Sequence, residues 1–159
     1  MEPKEIFEQL KNKFGEAIIE FKDDKPIDSY IIVSPGKIDE VCLYLRDWEK
    51  FQFDHLSCLS AVDYADGNLG VTYHLYSYSL KHKVYLKVIV PKDNPNVKTV
   101  SEIWQTANWH EREAYDMIGI IFEGHKDLRR ILLEDDWEGH PLRKDFEVPE
   151  FFHGMRVPY

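Results

Sequence analysis

Apolar residues fall at helical spacing in three stretches of the chain and alternate with polar residues in five others. Ile6, Phe7, Leu10 and Phe14 share one helical face between Pro3 and Gly15, which predicts a helix over Glu5–Phe14. Ala17–Phe21 and Ser29–Val33 read as short strands separated by the polar turn Lys22–Pro26. Ser34 and Pro35 suit the N-cap and first position of a second helix, where Ile38, Val41, Cys42 and Leu45 form a core-facing stripe. Phe53–Tyr64, long enough to hold a bulge, Val71–Tyr78 and Val84–Val90 read as three more strands. Asp66-Gly67-Asn68 marks the first turn between them, and Pro91 ends the sheet pattern. Thr99-Val100-Ser101-Glu102 has the form of a capping box. It predicts a last helix from an N-cap at Thr99 to Ile118, with a weak point near Asn108-Trp109 and Gly119 as its stop.

The resulting order, α-β-β-α-β-β-β-α, predicts an α+β fold: two layers, with helices packed on a mixed or antiparallel sheet of about five strands. Periodicity is lost after Gly119. The chain therefore divides into an α+β domain over residues 1–120 and an irregular, extended C-terminal docking arm over 121–159.

Composition narrows the function. At 159 residues one domain is expected, and a domain of this size buries about 70% of the surface its unfolded chain exposes. A net charge of −9 disfavours a nucleic-acid binder, which needs a basic face, and also adsorption to anionic lipid. No run of apolar residues is long enough to span a membrane, and the acidic start, Met1-Glu2-Pro3-Lys4-Glu5, lacks the pattern of a secretory signal. The expected location is the cytoplasm, with any membrane association through a partner. Cys42 and Cys58 are the two cysteines, too few for an ordinary iron–sulfur cluster or an all-cysteine zinc site. Both read as buried small hydrophobes.

Residues 110–145 stand apart. They hold ten Asp/Glu and six Lys/Arg, interleaved with Tyr115, Phe122 and Trp137. The phase of the last helix puts Glu111 on the apolar stripe of Val100, Ile103, Trp104, Ala107, Ala114, Tyr115 and Ile118. A carboxylate there needs a cation, with Arg112, Arg129, Arg130 and Arg143 as candidates, or a partner protein. The tail from Asp145 carries Phe146, Phe151, Phe152 and Tyr159 between prolines. It reads as an arm lying on another subunit; the bland alternative folds it back on its own sheet.

Glu111-Arg112-Glu113, then Asp116, then His125, Arg129, Ile131 and Leu132 at fixed spacing resemble the signature of the complex I 30 kDa subunit, the C subunit of the bacterial enzyme. Asp136-Trp137-Glu138-Gly139-His140-Pro141-Leu142-Arg143-Lys144-Asp145-Phe146 is similar to a second block of that family. Lys126 and Glu147 depart from it, each standing where the family usually has proline. The resemblance implies a hydrophilic-arm subunit of a proton-translocating NADH-quinone oxidoreductase with no flavin or cluster of its own; those belong to partner subunits. It would sit beside the quinone-cavity (49 kDa-type) subunit, peripheral on the cytoplasmic side of the inner membrane. The interface residues it implies are Glu111, Arg112, Glu113, Asp116, His125, Arg129, Arg130, Trp137, His140, Arg143, Lys144 and Asp145, joined by Phe146, Phe151 and Phe152 of the aromatic tail. Their expected role is a network of paired charges closed off from water at the subunit boundary.

One rival is weaker and a second stays open. A hydrolase could draw on the carboxylates and on His110, His125 and His140, but residues 111 and 113 point apart on a helix. His110-Glu111 begins a zinc motif whose second histidine is Ala114. The same family also serves membrane-bound [NiFe] hydrogenases and dehydrogenases for other donors, which this stretch of sequence does not distinguish.

Overall fold

The computed structural model describes residues 1–23 and 28–157. The predicted turn at Lys22–Pro26 and the terminal Pro158-Tyr159 thus lie mostly or wholly outside the described residues. Helix α1 (Pro3–Phe14) leads through a short 3-10 turn into strands β1 (Ile18–Lys22) and β2 (Tyr30–Val33). Helix α2 (Ile38–Asp47) precedes β3 (His55–Asp63), β4 (Asn68–Ser77) and β5 (His82–Pro91). These five strands make one sheet in the order β1-β2-β5-β4-β3, with β2 and β5 parallel and the other neighbours antiparallel. The α+β reading with a mixed five-stranded sheet holds.

The two-residue period of the strands decides which face is covered. In β4, Val71, Tyr73 and Leu75 are buried while Thr72, His74 and Tyr76 are half-buried. The buried set joins Ile6 and Leu10 of α1 and Val41, Cys42 and Leu45 of α2 in one core. The expected bulge in β3 falls between Leu56 and Cys58. Cys42 is fully buried as read, but Cys58 is only half-buried.

Helix starts depart from the sequence pattern. Residue 34 is still tied to the sheet, its N–H donating to the Ala17 carbonyl at 2.9 Å. The chain then turns through Pro35 and Gly36, so α2 begins at Ile38 and Ser34 does not cap it. The box at Thr99 is not a helix start either. Asn96–Lys98 form β6, paired in parallel with β7 (Ile121–Glu123). The Thr99 N–H continues that ladder to the Glu123 carbonyl, and Glu102 reaches Lys126 instead of the Thr99 backbone. The chain needs the turn at 100–103 to leave this pair, so α3 (Gln105–Ile118) starts after an extended Trp104. It runs unbroken through Asn108-Trp109 and packs along β3.

Since Phe122 of β7 is buried in the core, regular structure continues to Glu123, a little past the division drawn at 120/121. Beyond it the chain is irregular until a two-residue hairpin, β8 (Phe151–Phe152) and β9 (Met155–Arg156). Among the described residues, no helix is long and apolar enough to cross a membrane.

Candidate subunit interface

Helix α3 carries three polar side chains inward: Glu111 and Asp116 are 0% exposed and Arg112 is 5% exposed. Each finds its own chain. The Val100 N–H donates to Glu111 Oε1 at 2.7 Å, and the Thr99 hydroxyl donates to Oε2. The nearest cationic candidate is the His125 ring, 4.0 Å away, with none of the four expected arginines among its partners. The Asp127 N–H donates to His125 Nδ1 at 3.0 Å, so in the neutral ring the hydrogen sits on Nε2, facing the Asn108 carbonyl. Burial pushes the Glu111 carboxyl up to about 7, against the two hydrogen bonds that lower it.

Asp116 is the opposite case. Its Oδ2 accepts from the N–H groups of Ile131, Leu132 and Leu133 at 2.8–3.0 Å, and Oδ1 accepts from Arg130 at 2.7 Å. Burial opposes its ionisation, but these donors hold the carboxyl below its ordinary value. Arg130 goes on to donate to the carbonyls of Trp137 and Gly139. His140 Nδ1–H donates to the Asp116 carbonyl, and Arg143 to that of Ile118 at 2.6 Å. Arg112 donates to the carbonyls of Arg129 and Arg130, with its guanidinium over the Trp109 ring. Gly119 makes this packing possible. Its φ of +83° ends α3 in the left-handed region, and a Cβ there would lie 2.6 Å from both Arg143 and His140.

A second fastening holds the segment further on. Asp63, at the end of β3, takes the Lys144 N–H and the Lys92 ammonium, each at 2.9 Å, and Lys92 also reaches Asp145. The Lys144 N–H, Lys92 and the Ala65 N–H together depress the Asp63 carboxyl to about 2. Phe146 rests against Gly139. The tail hairpin turns back, Phe152 packing on Trp137 with ring centroids 4.9 Å apart.

A family model described as "Respiratory-chain NADH dehydrogenase, 30 Kd subunit" matches residues 31–152. The chain belongs to this family. A relative from Chloroherpeton thalassium, the C subunit of an NADH-quinone oxidoreductase, is 46% identical over 99% of this chain and 67% of its own length. The corresponding NADH-quinone oxidoreductase subunit from Chlorobium phaeobacteroides is 43% identical over 96% of this chain and 93% of its own. A chain in the structure of a membrane-bound sulfane sulfur reductase, an archaeal respiratory membrane complex, superposes with a TM-score of 0.70. It is 28% identical, over 91% of this chain and 85% of that one.

In this 30 kDa-family chain most of the signature charges are engaged within the chain. Arg112, Asp116, Arg130, His140 and Arg143 join the last turns of α3 to the segment beyond residue 128, while Glu111, in the middle of the helix, holds the turn before it. Arg129 pairs with Asp127 at the surface, and Glu113 is exposed beside a cleft between α3 and β3 that Cys58, His110, Met117 and Leu142 also line. Thr99, Asp63 and Lys92 join the site without having been expected in it. Thr99 carried a signal, a capping hydroxyl, but its acceptor lies twelve residues on. Trp109, Leu132, Leu142 and Phe151, each more than half exposed, add apolar side chains to the exposed charges of this region.

Proposed function

We propose that this chain is a non-catalytic structural subunit of the hydrophilic arm of a proton-translocating NADH-quinone oxidoreductase. It docks beside the quinone-cavity subunit, peripherally on the cytoplasmic side of the membrane, and flavin and iron–sulfur clusters reside on its partners. The observation that carries this reading is the use of the signature charges. The groups that could act as acid, base or ligand are engaged within the chain: Glu111 holds the turn that enters α3, and Asp116, His140 and Arg143 fasten the irregular segment to the end of that helix. That leaves a shaped, apolar-and-charged surface carrying Trp109, Arg129, Leu132 and Leu142 for a neighbouring subunit.

The test is recovery of the intact complex with a tagged chain, wild type against Arg129→Ala, Arg112→Ala and Arg143→Ala. Among the described residues the Arg129 side chain pairs at the surface with Asp127, so its truncation should weaken assembly while the isolated chain keeps its stability. Arg112→Ala and Arg143→Ala should destabilise the chain itself and lower assembly as a consequence. Full assembly and activity in all three variants would remove the proposal. The likeness to a chain of a sulfane sulfur reductase supports a second reading, the equivalent subunit of a related complex fed by another donor. The subunits recovered with the tag decide between them.

A further inference from the structure

The C-terminal hairpin brings His153 back to a loop seventeen residues earlier, where two carboxylates wait. Its Nε2–H donates to Asp136 Oδ2 at 2.6 Å. One ligand atom each from Glu134, Asp136 and His153 lie within 4.8 Å of one another. We propose that these three side chains form a binding site for a divalent transition-metal ion of the zinc type, clasping the tail hairpin to the 134–137 loop.

The imidazole distinguishes this group from an ordinary acidic patch. One nitrogen and two carboxylate oxygens form a donor set that zinc-type ions accept, whereas magnesium and calcium favour oxygen alone. Ligand atoms on a tetrahedral zinc at about 2.0–2.1 Å stand roughly 3.3 Å apart. The three side chains are exposed, so Glu134 has room to close in and the His153–Asp136 contact to open slightly. The imidazole is already oriented. Its ring stacks on Phe152 with centroids 4.1 Å apart and planes at 16°, and Phe152 in turn packs on Trp137. His153 sits at the hairpin tip with a left-handed backbone, φ +50°, next to Gly154 at +75°. The 134–137 turn is closed by the Trp137 N–H on the Glu134 carbonyl at 3.1 Å. His153 is set against two carboxylates, bonded to Asp136 with Glu134 nearby, and a dication balances both.

Metal binding takes Nε2 without its hydrogen: from the imidazolium that proton is released to solvent, and from the neutral ring the hydrogen moves to Nδ1 with no net release. The proposal is independent of which complex the chain belongs to. Its test is competition between the full-length chain and a chromophoric chelator for Zn²⁺ in solution. Wild type should take up one ion, and His153→Ala should weaken that binding by at least about tenfold. Glu134→Gln should weaken it too, while His55→Ala and His110→Ala, remote histidines, should not. Zinc should also slow proteolysis within residues 150–157 in wild type but not in His153→Ala. Absence of stoichiometric binding overturns the proposal, as does binding of undiminished affinity in His153→Ala. Glu134 and His153 are exposed, so their variants leave the fold intact.

Discussion

Replacing Glu111 with glutamine tests the energetics of the α3 junction directly, because its carboxyl is fully buried and has two hydrogen-bond donors but no full cation against it. In the unfolded chain such a carboxyl titrates near 4.5; in the fold it is pushed up to about 7. The native state therefore holds the proton more tightly than the unfolded state. The contribution of this group to stability is greatest at acid pH, falls as pH rises from about 4.5 to 7, and levels off above. At about 1.4 kcal/mol for each tenfold change, the full cost of the ionised group is at most about 3 kcal/mol. Glutamine keeps the shape, its carbonyl accepting from Val100 and its amide facing the Thr99 oxygen, and it cannot ionise. Urea unfolding of the isolated chain between pH 5 and 8 should show wild type losing stability relative to Glu111→Gln. By pH 8 the variant should be the more stable by about 2–3 kcal/mol. Asp63 and Asp116 titrate well below this window and are common to both proteins. Parallel pH profiles would refute the reasoning, and so would a variant that is less stable at pH 8. The latter would mean that His125, 4.0 Å away, carries a charge that stabilises the ionised carboxylate.

Asp116→Ala removes one carboxylate from three N–H groups and Arg130. We expect a loss of about 3–5 kcal/mol, read as faster hydrogen exchange at Ile131–Leu133. Asp63, depressed to about 2, stabilises the fold above its ordinary value of 3.8 and loses that contribution as pH falls through about 2. Asp63→Asn should therefore unfold less steeply in acid than wild type and release the Lys144–Asp145 stretch to proteases at neutral pH. Phe152→Ala should free the tail hairpin from Trp137, seen as rapid cleavage after residue 150 with no change in the unfolding of the core.

Most of the fold was legible because burial follows period. Val71, Tyr73 and Leu75, or Ile38, Val41, Cys42 and Leu45, announce their element and their inner face together. Strands of three residues carry no such period, so β6 and β7 escape a reading by pattern, and with them the reason why Thr99 caps nothing. The site was legible as a set of residues but not as an arrangement. Alternating charges over 110–145 suggested ion pairs facing a partner, yet Arg112 and Arg143 donate to main-chain carbonyls. An irregular segment explains the difference. A chain without helix or sheet leaves its own N–H and C=O groups unpaired, and when it lies on a buried surface those groups must be satisfied by side chains. Asp116 does this for three consecutive amides and Arg130 for three carbonyls, Asp116's own among them. High charge density in a stretch that lacks periodicity is thus what a side-chain-supported loop requires. A buried carboxylate among backbone N–H groups and a guanidinium among carbonyls replace the ladder that secondary structure would have supplied.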